Sequence, residues 1–207
     1  MRVFRLVLAL AALLLAAAAQ GPTTSREKQS VLKPPTGAKV AIVIFEDMQC
    51  PDCARAHPLI QEVSAQEKIP VLRHDFPLAQ HNWAMRAAII GRYLDTKSRK
   101  RTKSAKLGEA WRAYVFANQA AITPDNLDQY FDKFAKANGT GVPMILDPGG
   151  RLEAKIKADV ALGKRIGIQH TPTLWVVGNV ATAEPFVEVV DRTLLTGIIQ
   201  DMKSKAK

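Results

Sequence analysis

The chain has two cysteines, three positions apart in Cys50-Pro51-Asp52-Cys53. Such a pair can be a structural staple, a pair of metal ligands or a reversible dithiol. Closing so short a loop stabilises a fold by only about 2 kcal/mol, against about 3 for a 15-residue loop, which is a weak reason to carry a staple. A metal reading adds His57: Cys50, Cys53 and His57 fall at i, i+3 and i+7 on one helical face and offer soft ligands to copper or zinc. A closed zinc site takes four ligands and there is no second cysteine pair. No metal ligands are assigned, a copper or zinc carrier stands as the alternative, and His57 also reads as a packing residue. Reversible exchange needs one acidified thiol. Pro51 suits a first helical turn, which sets Cys50 at a helix start, where unpaired N–H groups and the helix dipole favour a thiolate. Cys50 is then the exposed attacking sulfur and Cys53, one turn on, the buried resolving one. Pro51 and Asp52 are the residues that tune the couple: Pro51 fixes the helical φ, and the charge of Asp52 works against a thiolate.

The elements that must hold this pair can be read on both sides of it. Val40 to Phe45 is an unbroken apolar, β-branched run, which predicts a strand buried on both faces. A short loop leads from it to the cysteines, and Leu59, Ile60 and Val63 give the following helix an apolar stripe. Ile69 to His74 predicts a second strand, completing a βαβ unit. The middle is helical: Trp83, Ala87, Ile90 and Leu94 share a face, as do Leu107, Ala110, Trp111, Tyr114 and Val115, and Leu127, Tyr130, Phe131 and Phe134. The last of these helices has Thr123 as its expected N-cap, Pro124 at the first position and Asn138-Gly139 as its stop. A further helix is predicted over Glu153 to Ile166, strands over Thr173 to Val177 and Phe186 to Val190, and a closing helix over Leu194 to Met202. The order is βαβ, then a helical block of about 80 residues, then ββα, which can complete one four-stranded sheet with the block as a cap.

The first nineteen residues carry Arg2 and Arg5 ahead of an apolar Leu/Ala run with small residues at Ala17 and Ala19. They read as a secretory signal; an uncleaved anchor is the alternative, although the run is short of the about 20 apolar residues a full span needs. Residues 20–37, with Gly21-Pro22, Pro34-Pro35 and Gly37, read as a flexible linker. What remains suffices for one domain, at residues 38–204. The chain carries a net charge of +10, two units of it from Arg2 and Arg5, and six basic residues crowd between Lys97 and Lys106 without aromatics. In an exported protein that run reads as a solvated loop rather than a nucleic-acid patch. No cofactor is expected.

Phe45 to Cys53 with Arg55-Ala56-His57-Pro58, then His74 to Leu78 with His81-Asn82-Trp83-Ala84, resemble the DsbA-like branch of the thioredoxin superfamily. Gly167-Ile168-Gln169-His170-Thr171-Pro172-Thr173 resembles its cis-proline loop. The resemblance spans about residues 38–204. It implies an α/β, thioredoxin-like fold, a four-stranded mixed sheet flanked by helices, with an inserted helical domain at about 79–166. It implies thiol-disulfide exchange on exported proteins that carry thiols or disulfides, a periplasmic location and a membrane redox partner. Pro172 would join Cys50 and Cys53 in the reactive site, while Thr171, set beside Cys50, and His170 would bind substrate, the Thr171 backbone pairing with an extended segment as an added strand does. One departure stands out. The branch often has a Glu six residues before the first cysteine that aids proton transfer at the resolving thiol, and here that position is Ile44. Glu46 or Asp47 could substitute, with Glu46 expected at the surface near the site.

Overall fold

The computed structural model describes residues 25–98, 107–182 and 185–207. The expected signal segment and most of the basic run lie outside them. Four strands form one sheet: β1 (Val40–Glu46), β2 (Val71–Asp75), β3 (Thr173–Gly178) and β4 (Phe186–Glu188), in the order β2-β1-β3-β4. β1 pairs parallel with β2 and antiparallel with β3, and β3 pairs antiparallel with β4. This is the predicted mixed sheet. β1 is buried at every residue because it is central and covered on both faces.

Among the described residues seven α-helices surround the sheet: α1 (Ser25–Val31), α2 (Pro51–Glu67), α3 (Ala84–Ser98), α4 (Leu107–Asn118), α5 (Leu127–Ala137), α6 (Arg151–Arg165) and α7 (Leu195–Lys205). On one face, Ile42, Ile44, Leu174 and Val176 pack with Ile60 and Val63 of α2 and Ile199 and Met202 of α7. On the other, Val43, Phe45, Trp175 and Val177 pack against Ile166, Ile168 and Leu32. The linker expected over 20–37 is corrected by this: α1 occupies Ser25–Val31 and Leu32 is 0% exposed. The sheet face presents an apolar position that a leucine fills, and the Pro and Gly residues on either side conceal it in the sequence.

The insertion, α3 to α6, contains its own core, in which Trp83, Ile90, Leu94, Trp111, Phe131 and Phe134 close around one another and reach Met48, Cys50 and Cys53. Trp111 Nε1 donates to the Ala87 carbonyl at 2.9 Å, so its one polar atom is satisfied inside. Helix α5 starts later than predicted. Asn126 is its N-cap, and residues 123–126 form a turn in which Thr123 N–H donates to Asn126 Oδ1 and the Thr123 carbonyl accepts from Leu127 N–H. The predicted stop is observed, with Asn138 as C-cap and Gly139 at φ 60°, which favours glycine. β2 and β4 differ from the predicted runs by one to two residues at their ends.

Candidate active site

Cys50 is the N-cap of α2, in extended backbone at φ −75° and ψ 120°, with Pro51 opening the helix. The preceding loop is pinned from three directions. The Asp47 carboxylate accepts from Gln49 N–H at 2.7 Å, from Leu78 N–H at 2.7 Å and pairs with His81 Nδ1 at 2.7 Å. Gln49 Oε1 accepts from Trp83 N–H at 2.9 Å. From the insertion, Gln119 Nε2 donates to the Met48 and Cys50 carbonyls at 2.8 and 3.0 Å. The cysteine loop is therefore fixed jointly by the sheet, the β2–α3 connection and the short helical turn at Gln119–Ala121.

Both cysteines are free thiols. Cys53, 1% exposed, receives a hydrogen bond from Asp47 N–H at 3.4 Å. Cys50 was expected to be exposed, but only 7% of it is accessible. The loop carrying the cis Thr171-Pro172 bond lies over it, and Cys50 Sγ donates to the Thr171 carbonyl at 3.2 Å. The hydrogen bond from Cys53 lowers the Cys50 thiol to about 5, with the Thr171 side chain and the first N–H groups of α2 assisting and burial opposing. The Thr171 hydroxyl is buried without a partner, so its proton is available to a thiolate. Burial, then the hydrogen bond to Cys50, pushes the Cys53 thiol far up. The pair is thus divided into one sulfur that ionises readily and one that stays protonated.

Asp52 faces Arg192, which lies in a helical turn at Arg192–Leu194 between β4 and α7. Arg192 Nη2 reaches Asp52 Oδ1 at 2.8 Å, and Arg55 Nη2 reaches the same oxygen at 3.2 Å. The hydrogen bond from Arg192 is the main reason the Asp52 carboxyl sits below its ordinary value. Asp52, His170, Pro172 and Arg192 line one cleft of about 180 Å³, whose floor includes Ile60 and Leu174. His170 is exposed and Thr171 buried. The structure thus gathers Cys50, Cys53, Pro51, Asp52, Thr171, Pro172 and His170 at one place.

His57 does not join them. It is buried, its ring lies 5.0 Å from that of Phe116, and burial pushes its pKa down. Among the described residues no three His, Cys, Asp or Glu side chains gather as a set able to hold a metal ion. Glu46, expected at the surface, is 1% exposed. The reason is two arginines that the sequence does not advertise: Arg73 of β2 at 2.9 Å and Arg112 of α4 at 3.2 Å from Glu46 Oε1. Its Oε2 is buried without a partner, and its charge helps keep Cys53 protonated. Ile44 is buried in the sheet core and carries no chemistry. Gln119, Arg192, Arg73 and Arg112 are the participants that sequence reasoning missed, since each acts across a long sequence separation and no local pattern marks them.

The model of a family described as thioredoxin matches residues 35–194. Comparison with the curated proteins finds no match. Among solved structures, ScsC of Proteus mirabilis in a transitional conformation is 18% identical, with a TM-score of 0.67 over 97% of this chain and 90% of that one. A periplasmic thioredoxin-like protein of Salmonella enterica serovar Typhimurium is 16% identical, with a TM-score of 0.62 over 83% and 88%. The thiol-disulfide exchange protein alpha-DsbA2 of Wolbachia pipientis is also 16% identical, with a TM-score of 0.59 over 86% and 95%. These similarities cover the sheet, the cysteine pair and the helical insertion together, and the chain belongs to the thioredoxin family, with the fold of its DsbA-like members.

Proposed function

We propose that this protein is an exported thiol-disulfide oxidoreductase that forms or exchanges disulfides in other exported proteins, with Cys50 as the attacking sulfur and Cys53 as the resolving one. The observation that carries this is the opposite treatment of the two thiols: Cys50 is drawn down to about 5 at the start of α2, while Cys53 is held protonated in the core one turn away. In the oxidising direction a substrate thiolate attacks Cys50 Sγ of the enzyme disulfide, and Cys53 leaves and takes up a proton. A second substrate thiolate then attacks the substrate sulfur of the mixed disulfide, and Cys50 leaves as a stabilised thiolate. Two electrons pass from substrate to enzyme. A low Cys50 pKa stabilises the reduced form and favours that direction. A membrane redox partner then removes the electrons. Glu46, buried with one free carboxylate oxygen, is the group that handles the Cys53 proton in place of the acid missing at Ile44. Thr171 and His170 receive the substrate beside Pro172, while Pro51 and Asp52 adjust the couple. Residues 1–19 supply the export signal and a periplasmic location; among the described residues no helix is long and apolar enough to cross a membrane.

The test is the reduction potential of the Cys50/Cys53 couple, measured by equilibration with glutathione, alongside turnover on a reduced protein substrate. A value near or above about −150 mV with turnover supports a disulfide donor; one near or below about −250 mV, without turnover, overturns that reading.

A further inference from the structure

Asp52 presents a problem for the proposed chemistry. It places a carboxylate two residues from the sulfur that must become an anion, and like charges so close disfavour each other. The surroundings answer it. The turn at Arg192–Leu194 is capped by Asp191, whose Oδ1 accepts from Thr193 N–H at 2.9 Å and from Thr193 Oγ1 at 2.7 Å. The capped turn carries the Arg192 guanidinium to Asp52, where Nη2 donates to Oδ1 at 2.8 Å and Nη1 contacts the Asp52 carbonyl at 3.4 Å. One side chain thus grips both the carboxylate and the backbone of Asp52, from 140 positions away.

Resting on the function proposed above, we propose that Arg192 is a positioning residue of the exchange site, which neutralises the Asp52 carboxylate and holds the Cys50 turn so that Cys50 can react as a thiolate. The other charged groups around the pair do not replace it. Arg55, on α2, approaches Asp52 at 3.2 Å, but its side chain is 68% exposed against 32% for Arg192, so solvent screens it more. From the other elements, Glu188 of β4 and His170 of the loop before β3 line the same cleft, and Asp191 is occupied by its own turn. Cys53 and His57, also on α2, are buried, and burial pushes the Cys53 thiol up and the His57 imidazole down, each away from its charged form. Glu188 adds negative charge to the cleft, which leaves Arg192 as the close, partly buried cation on Asp52.

The test is a double-mutant cycle on the reduced protein, following the thiolate absorbance of Cys50 against pH. This readout needs no substrate, so it can fail while exchange activity survives, and the reverse. Arg192→Met should raise the Cys50 midpoint from about 5 by about half to one pH unit, a threefold to tenfold loss in thiolate equilibrium. Arg192→Lys should recover part of the shift, and Arg55→Met should give a smaller one. In an Asp52→Asn background, Arg192→Met should move the midpoint little. An unchanged midpoint in Arg192→Met overturns the proposal. So does an equal rise with Asp52→Asn in place, or an equal rise in Arg55→Met. Should Arg192→Met not fold, Arg192→Gln carries the same cycle.

Discussion

At the scale of single residues, the chemistry rests on the difference between two sulfurs three positions apart. Cys50 is lowered from an ordinary 9.0 to about 5, so alkylation by iodoacetamide should be nearly independent of pH above about 6 and fall about tenfold per unit below 5. A rate that keeps rising to pH 8 or 9 would contradict the assignment. The same shift has a consequence for stability. A folded-state pKa below the unfolded one contributes stability that is fully present above pH 9 and is lost as pH falls through about 5. The dithiol form should therefore lose stability relative to the disulfide form as pH is lowered from 8 to 4, which denaturant midpoints of the two forms would show. Exchange identifies the roles: Cys53→Ala should accumulate a mixed disulfide on Cys50, and Cys50→Ser should have no exchange activity. The placement of the two sulfurs, one at the start of the helix and one buried a turn inside it, was legible from Pro51 and the apolar run that follows. The partners of Asp52 and Glu46 were not, because Arg192 and Arg112 meet them only through tertiary packing.

The elements repeat this division. Runs with a clear pattern, the continuous apolar stretch of Val40 to Phe45 and the periodic faces of α3, α4 and α5, were readable because burial selects the side chains directly. The start of α5 is set by the turn before it. Thr123 had the right chemistry for a cap, but the Asn126 side chain ties residues 123–126 into a turn through Thr123 N–H and the Ala121 carbonyl, and the helix begins only after it. The joint between α3 and α4 is a contact that no periodicity reveals. A Cβ on Gly108 would lie 2.7 Å from the Gly91 carbonyl oxygen and 2.2 Å from Asp95 Oδ1. The backbones of the two helices approach too closely for any larger residue. Gly108→Ala should destabilise the protein by about 1–3 kcal/mol despite the better helix propensity of alanine, read as a lower urea midpoint. A neutral or stabilising result would mean the helices can separate at no cost.

In the whole molecule, the sheet and the insertion are bound by a buried chain of charges as well as by apolar packing. Glu46 of β1 meets Arg73 of β2 and Arg112 of α4; Arg73 meets Glu109 at 2.8 Å, Arg112 meets Asp75 at 3.1 Å, and Asp75 meets Arg92 of α3 at 2.5 Å. Arg92 pairs in turn with Asp159 of α6. Two of the acids, Glu46 and Asp75, sit at the ends of the two strands that position the cysteine loop, and the arginines on α3 and α4 come from the inserted block. Removing one member of such a network leaves its buried partners short of a countercharge, which costs more than the pair itself contributes. Arg112→Met should therefore destabilise the protein by about 3–5 kcal/mol, in contrast to a change at an exposed pair such as Arg86 with Asp128. The acid limb provides a separate check. Burial tends to raise the Asp75 carboxyl, but the charges of Arg112 and Arg92 outweigh it and hold the group below its ordinary 3.8. Its contribution is thus present above about pH 4 and lost as pH falls through the lower folded value. Without Arg112 that carboxyl should protonate more readily, so acid unfolding of Arg112→Met should begin at a higher pH than in the unaltered protein. A variant with a lower denaturant midpoint but an unmoved acid transition would show that Arg112 contributes packing rather than charge.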